Sequence, residues 1–325
     1  DLSSDWECFD WNESEFPPSN KVFEVMKSFY RYERYPDITA KELKIKLSEY
    51  VALPTQFIEV YNGSDDALKD IITVFVDKDT RVLSYQPSYT QVNTFITTNT
   101  DKYMKINILD PLGEHSYNFN LCAGVDVVYL VNPNNPTGKL LEVDKIEELV
   151  KTYPDVLFIV DEAYYEFAKT SCCHLVVSHK NLVVTRTFSK AFGLASVRLG
   201  YCMAHPDTLS HVRKIRNGKA VNTLAQLCGI AALDDLDYLD SRIDEMNDAK
   251  KFFIDNLPHQ YHAVDSHTNF VLLKTPDSEK LLNRMKDNKI LIRDRSSFDN
   301  LQNCVRITIG SKKQIIRVLD VINYA

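Results

Sequence analysis

Short apolar runs alternate with helical periodicity through the middle of the chain. Residues 80–85, 126–132, 156–163, 182–189 and 200–204 are rich in Val, Ile, Leu and Tyr, which predicts strands. Runs that are apolar on both faces predict a parallel sheet covered by helices on either side. Between them, residues 66–76, 143–152 and 205–214 carry helical periodicity. This alternation predicts an α/β domain with a mainly parallel sheet. After Arg213 the pattern changes. Residues 221–255 predict one or two long helices, with Leu224, Leu227, Ile230, Ala231 and Leu233 on the apolar side. Residues 269–274, 289–293 and 304–309 then predict strands, and 312–324 a closing helix. Helices followed by a small sheet predict a second, α+β domain. The stretch up to Pro18 is predicted to be irregular, because Pro17–Pro18 disfavours a continuous helix. The expected organisation is a large domain over 24–213 and a small α+β domain over 214–325, with 1–23 as an N-terminal arm.

Composition narrows the function classes. The chain has 325 residues, 44% hydrophobic and 26% charged, which excludes whole-chain disorder and fits one large or two moderate domains. No apolar run approaches the roughly 18–20 residues that span a bilayer, and the acidic opening of residues 1–10 is unlike a signal peptide. A net charge of −7 disfavours a nucleic-acid or anionic-membrane surface while allowing a local basic pocket. Seven cysteines without a C-x-x-C pair predict free thiols in a reducing, cytoplasmic setting. The eight histidines show no metal-ligand spacing, so no metal is expected. No repeat or low-complexity segment is visible.

Four segments carry chemistry. Residues 184–198, VTRTFSKAFGLASVR, place Thr187, Ser189 and Lys190 at the end of a predicted strand, with Arg198 following. Two hydroxyls and a guanidinium can surround one phosphate, at the strand edge where α/β sheets bind ligands. A surface lysine and a solvated arginine fit the same segment. Residues 158–167, FIVDEAYYEF, end an apolar strand on Asp161, with Tyr164 three residues on. A carboxylate there is costly unless it meets a cation or donor, such as a protonated pyridine nitrogen, or unless it caps a helix. Residues 132–138, NPNNPTG, form a rigid loop in which Asn134 or Asn135 can turn an amide to a ligand. Residues 61–67, YNGSDDA, open a helix whose free Ser64 and Asp65 N–H groups make an anion site, with Gly63 allowing close approach. Each also fits an ordinary turn or cap.

Together and in order, with Asn135 26 residues before Asp161 and Asp161 29 before Lys190, these segments resemble the fold-type I pyridoxal-phosphate enzymes. Specifically, they resemble the class I/II aminotransferases of the histidinol-phosphate aminotransferase branch. The resemblance runs from Asn12–Glu13 to about Gly310 and rests on S-K-A-F-x-L-A-x-x-R-x-G, N-P-x-N-P-T-G and D-E-A-Y. It implies pyridoxal 5'-phosphate joined covalently to Lys190, with Asp161 at the pyridine nitrogen and Asn135 and Tyr164 at the ring oxygen. Tyr89 would stack on the ring. Ser64, Asp65, Thr187, Ser189 and Arg198 would hold the phosphate. Tyr35, in Arg34-Tyr35-Pro36-Asp37, would reach the phosphate of a neighbouring subunit, which implies a homodimer. Arg306 would bind the substrate α-carboxylate and Arg293 a second anion at its far end.

One departure concerns the N-terminal motif N-E-N-P-Y-G of that branch, whose tyrosine helps hold a substrate phosphate. Here Asn12-Glu13-Ser14-Glu15-Phe16-Pro17 stands in its place. Phe16 would border the substrate without a hydroxyl, and Glu15 adds a negative charge. The expected activity is transamination between glutamate, as amino donor, and a small phosphorylated carbonyl acceptor. Decarboxylation of a phosphorylated amino acid and transamination of aromatic amino acids are the alternatives within the same chemistry. A non-enzymatic cofactor-binding regulator is the alternative outside it.

Overall fold

A computed structural model describes residues 5–109 and 115–323. Residues 1–4 of the expected arm and Tyr324, at the end of the expected closing helix, lie outside the described residues. The strands in chain order are β1 (Glu7–Phe9), β2 (Ile58–Tyr61), β3 (Val82–Gln86), β4 (Tyr103–Asn107), β5 (Val127–Val131) and β6 (Leu157–Asp161). They continue with β7 (Leu182–Thr187), β8 (Gly200–Ala204), β9 (His262–Ala263), β10 (Phe270–Lys274), β11 (Ile290–Asp294) and β12 (Cys304–Thr308).

The larger sheet has the order β2-β8-β7-β6-β5-β3-β4. Its neighbours from β7 to β4 run parallel, while β8 is antiparallel to both β7 and β2. The mainly parallel α/β fold expected from the strand–helix alternation is therefore the one observed. The side-chain alternation of the central strands explains their apolar character. Val128, Leu130, Phe158, Val160, Leu182 and Val184 enter one core, while Val127, Tyr129, Val131, Ile159 and Val183 enter a second core on the opposite face. Each Val, Leu or Ile among them contributes roughly 1.5–3 kcal/mol on full burial.

The smaller sheet has the order β1-β11-β12-β10-β9. Helices Leu236–Asp255, Ser278–Asp287 and Lys312–Asn323 cover it, with Met246, Phe253, Met285, Ile315 and Val318 in a third core. The irregular N-terminal stretch is a correction. Residues Glu7–Phe9 pair parallel with β11, and Phe9 is fully buried among the small-sheet residues. A three-residue edge strand with one buried side chain leaves too little pattern to read. The first core continues past residue 213: Ala225, Cys228, Ala231 and Ile243 pack with Leu43 and Leu47. Among the described residues, no helix is long and apolar enough to cross a membrane.

Candidate active site

The carboxyl ends of β5, β6 and β7 open together on one cavity of about 550 Å³. Parallel strands end at the same edge, so Val131, Asp161 and Thr187 are delivered there by topology. Twelve of the fourteen expected site residues line this cavity: Ser64, Asp65, Tyr89, Asn135, Asp161, Tyr164, Thr187, Ser189, Lys190, Arg198, Arg293 and Arg306. Phe16 and Tyr35 do not.

Asp161 is the last residue of β6 and only 3% exposed. Tyr129 Oη donates to its Oδ2 at 3.1 Å, and Thr185 Oγ1 donates to its Oδ1 at 3.2 Å. Burial nonetheless pushes its carboxyl up to about 7, against the opposing effect of these donors. No described cation lies within ion-pair distance. A buried carboxylate held by two hydroxyls and no cation is a site prepared for a positively charged partner. Tyr129 and Thr185 were not singled out in the sequence, because their register against β6 is a tertiary fact.

Lys190 follows the turn after β7. Its Nζ donates to Trp11 O at 3.0 Å. Burial, aided by the Arg306 guanidinium, lowers its ammonium to about 8. Tyr164 is buried, packs edge-on against Phe270 at 5.2 Å, and accepts a hydrogen bond from Asn12 Nδ2 at 2.8 Å.

The segment expected to hold an anion lies where helix Ser64–Phe75 meets β8. Gly63 has φ +87, and a Cβ there would lie 2.7 Å from Arg198 Nη2. A Cβ at Gly200 would lie 2.6 Å from the Gly63 carbonyl carbon, so only glycine lets the strand approach the helix start. Arg198 Nη1 donates to Ser189 Oγ at 3.3 Å, and Nη2 lies 3.7 Å from Asp65 Oδ2. Tyr89 Oη donates to Asp65 Oδ1 at 2.8 Å, which ties the aromatic to the helix start. Thr187 Oγ1 accepts the Ser189 N–H at 3.1 Å, so its hydroxyl shapes the turn.

The NPNNPTG loop divides its two asparagines. Asn134 Nδ2 donates to Pro87 O and Thr137 Oγ1, a structural use. Asn135 faces the cavity, and its Oδ1 accepts from Arg306 Nη1 at 2.7 Å. Arg306 is 4% exposed, and its Nη2 also donates to Asp10 O at 2.5 Å. Its Nε is buried without a partner among the described residues. Burial lowers this guanidinium to about 10.

Residues 10–13 of the N-terminal arm line the cavity too, so the motif expected near the substrate reaches it through Asn12 and Glu13. Asn269 Nδ2 holds Asn12 O, and Thr308 Oγ1 accepts from Asn12 N–H and donates to Phe9 O. The same anchoring explains the correction at Phe16. That ring lies outside the cavity, among Phe167, Ala191, Ile243 and Met246, with Arg242 5.6 Å away. It packs the arm against the body and does not border the substrate space of its own chain. Tyr35 is 80% exposed and lies along a separate groove with Phe29, Tyr30 and Leu227.

An open, mainly parallel sheet with a lysine, a buried carboxylate and a helix start beside an arginine at its carboxyl edge defines an α/β fold of the fold-type I class. The sequence pattern of the family Aminotransferase class I and II matches residues 5–322, and the chain belongs to that family. It is a pyridoxal-phosphate-dependent aminotransferase. It is 36% identical to a dihydroxyacetone phosphate transaminase of Campylobacter jejuni, covering 96% of this chain and 88% of that protein. It is 31% identical to a histidinol-phosphate aminotransferase of Geotalea daltonii, covering 95% and 89%. The structure of histidinol-phosphate aminotransferase from Sinorhizobium meliloti, in complex with pyridoxal-5'-phosphate, superposes with a TM-score of 0.89 at 24% identity, covering 98% and 90%.

Proposed function

We propose that the enzyme moves an amino group between glutamate and a small phosphorylated carbonyl compound. The observation that carries this reading is the placement of two unpaired arginines, Arg293 and Arg306, in the same cavity as Lys190. No described carboxylate lies within ion-pair distance of either. A substrate anion at each end of a small molecule would meet them. The names of the two relatives support a phosphorylated partner, since both act on small phosphate esters.

The residues present fit pyridoxal phosphate. The cofactor, when bound, supplies an electron sink for the substrate's α-carbon. Asp161 would pair with the pyridine nitrogen, whose positive charge would draw the Asp161 proton off and keep the carboxylate ionised. Asn135 and Tyr164 would donate to the ring oxygen, and Tyr89 would stack on the ring. The N–H groups of Ser64 and Asp65, with Thr187, Ser189 and Arg198, would hold the phosphate. Lys190 would anchor the cofactor and, once released by the incoming amine, take the proton from the substrate α-carbon as general base. Its lowered basicity, about 8, keeps a useful fraction of free amine near neutral pH. Arg306 would fork onto the α-carboxylate and Arg293 onto the far anion.

Tyr35 would serve the phosphate of a neighbouring subunit, which makes the enzyme a homodimer. We also assign the protein to the cytoplasm, in keeping with seven free cysteines. We also keep the division into a large domain over 24–213 and a second unit of the arm, 1–23, with 214–325, whose first helix, Thr223–Leu233, packs into the core of the large domain.

The test is a panel of keto acids and phosphorylated carbonyl compounds, run with glutamate while cofactor absorbance is followed. Glutamate is expected to convert the cofactor to its amine form, and a phosphorylated carbonyl to reverse that. Carbon dioxide release from a phosphorylated amino acid, without need for an acceptor, would replace this reading with decarboxylation.

A further inference from the structure

Arg306 and Arg293 stand side by side on neighbouring strands of the small sheet, in register on β12 and β11. Arg295 stands two residues beyond Arg293, so alternation returns it to the same face. Its N–H donates to Cys304 O at 2.9 Å, which extends the ladder by one residue and fixes that direction. Asp294 between them turns outward and caps the Ser296 N–H at 2.8 Å. All three guanidinium groups line the cavity, and none has a described carboxylate within ion-pair distance. Asp10 and Glu13 share the cavity without pairing to them. Arg295 lies against Phe298, 5.8 Å from its ring, and its Nε is buried without a partner among the described residues. Burial, with Arg306 and Arg293 as like-charged neighbours, holds its guanidinium down at about 9.

Two arginines match the two single charges of glutamate. A phosphate monoester carries nearly two charges on three acceptor oxygens, which asks for more donors. With Phe16 turned away from the cavity, the arm supplies no aromatic hydroxyl there. We propose that Arg295 is the specificity-determining residue for a phosphate monoester group on the amino acceptor, completing with Arg293 a two-guanidinium clamp at the far end of the cavity. This rests on the phosphorylated-acceptor reading above. The third guanidinium relieves its like-charge crowding only when a dianion enters, so it rewards phosphate over an uncharged hydroxyl.

The experiment compares dihydroxyacetone phosphate with dihydroxyacetone as acceptors for the amine form of the holoenzyme. Wild type is expected to prefer the phosphorylated compound in kcat/KM. Arg295→Gln is expected to cut that preference by about tenfold or more, chiefly through KM, and Arg295→Lys to restore part of it. Cofactor absorbance of each variant reports that the site has folded. A wild-type preference that survives Arg295→Gln overturns the role given to Arg295. Wild type without any preference overturns the phosphorylated-acceptor reading itself.

Discussion

Tyr129 and Asp161 are joined by a 3.1 Å hydrogen bond between adjacent parallel strands, with the tyrosine as donor. The bond favours the ionised carboxylate, while burial opposes it more strongly. Tyr129→Phe removes that donor without changing the ring's bulk. Cofactor affinity is expected to fall by about tenfold, since a hydrogen bond to a charged group contributes roughly 1.5–3 kcal/mol. Titration of apoprotein with pyridoxal phosphate checks this. Unchanged affinity would leave Tyr129 as packing alone.

The Lys190 amine predicts a pH profile. Its ammonium is held at about 8, first by burial and then by Arg306. Only the free amine captures an aldehyde, so attachment of cofactor to apoprotein is expected to quicken as pH rises towards 8 and to level off above it. Removing the like charge with Arg306→Gln should move the midpoint upward. Stopped-flow absorbance across pH measures both. A midpoint unmoved by that substitution would remove Arg306 from the causes.

Arg306 meets Asn135 through Nη1 and Asp10 O through Nη2. Its planar fork spans the cofactor loop and the arm at once. Arg306→Lys keeps the charge and loses the fork. The KM for glutamate is expected to rise by about tenfold or more, with a smaller loss in kcat. Steady-state kinetics with glutamate varied decides it, and an unchanged KM would place the α-carboxylate elsewhere.

Legibility in the sequence followed how local each feature is. Strands β5 to β8 and helix Val143–Thr152 were readable, because apolar runs and 3.6-residue periodicity are local. Strand β2 was not, because Glu59 interrupts it. That carboxylate is tolerated in the core only through Lys44, Arg213 and Arg216, at 2.8, 2.7 and 3.0 Å. Edge strand β4 alternates weakly, with Met104 and Lys105 exposed. Lys190, Asp161, Asn135 and Gly63 were legible because each sits in a motif bounded by a turn. Tyr129 and Thr185 were not, since strand register brings them to Asp161 across long separations. Arg295 carried a readable signal, its two-residue spacing from Arg293, whose meaning needed the register with Arg306.

Tyr35 and its groove predict an oligomer. Tyr30, Tyr32 and Tyr35 are 78%, 71% and 80% exposed, an aromatic patch that a partner subunit would cover. Sedimentation is expected to give a dimer, and Tyr35→Phe to weaken cofactor binding by about three- to tenfold. A monomer with full cofactor affinity would refute the shared site.

The most direct measurement is on Lys190→Ala reconstituted with pyridoxal phosphate. The variant is expected to lack the visible absorption of covalently held cofactor and to show no multiple turnover with glutamate and an acceptor. Sustained turnover with the wild-type spectrum would contradict the role of Lys190 as anchor and proton carrier.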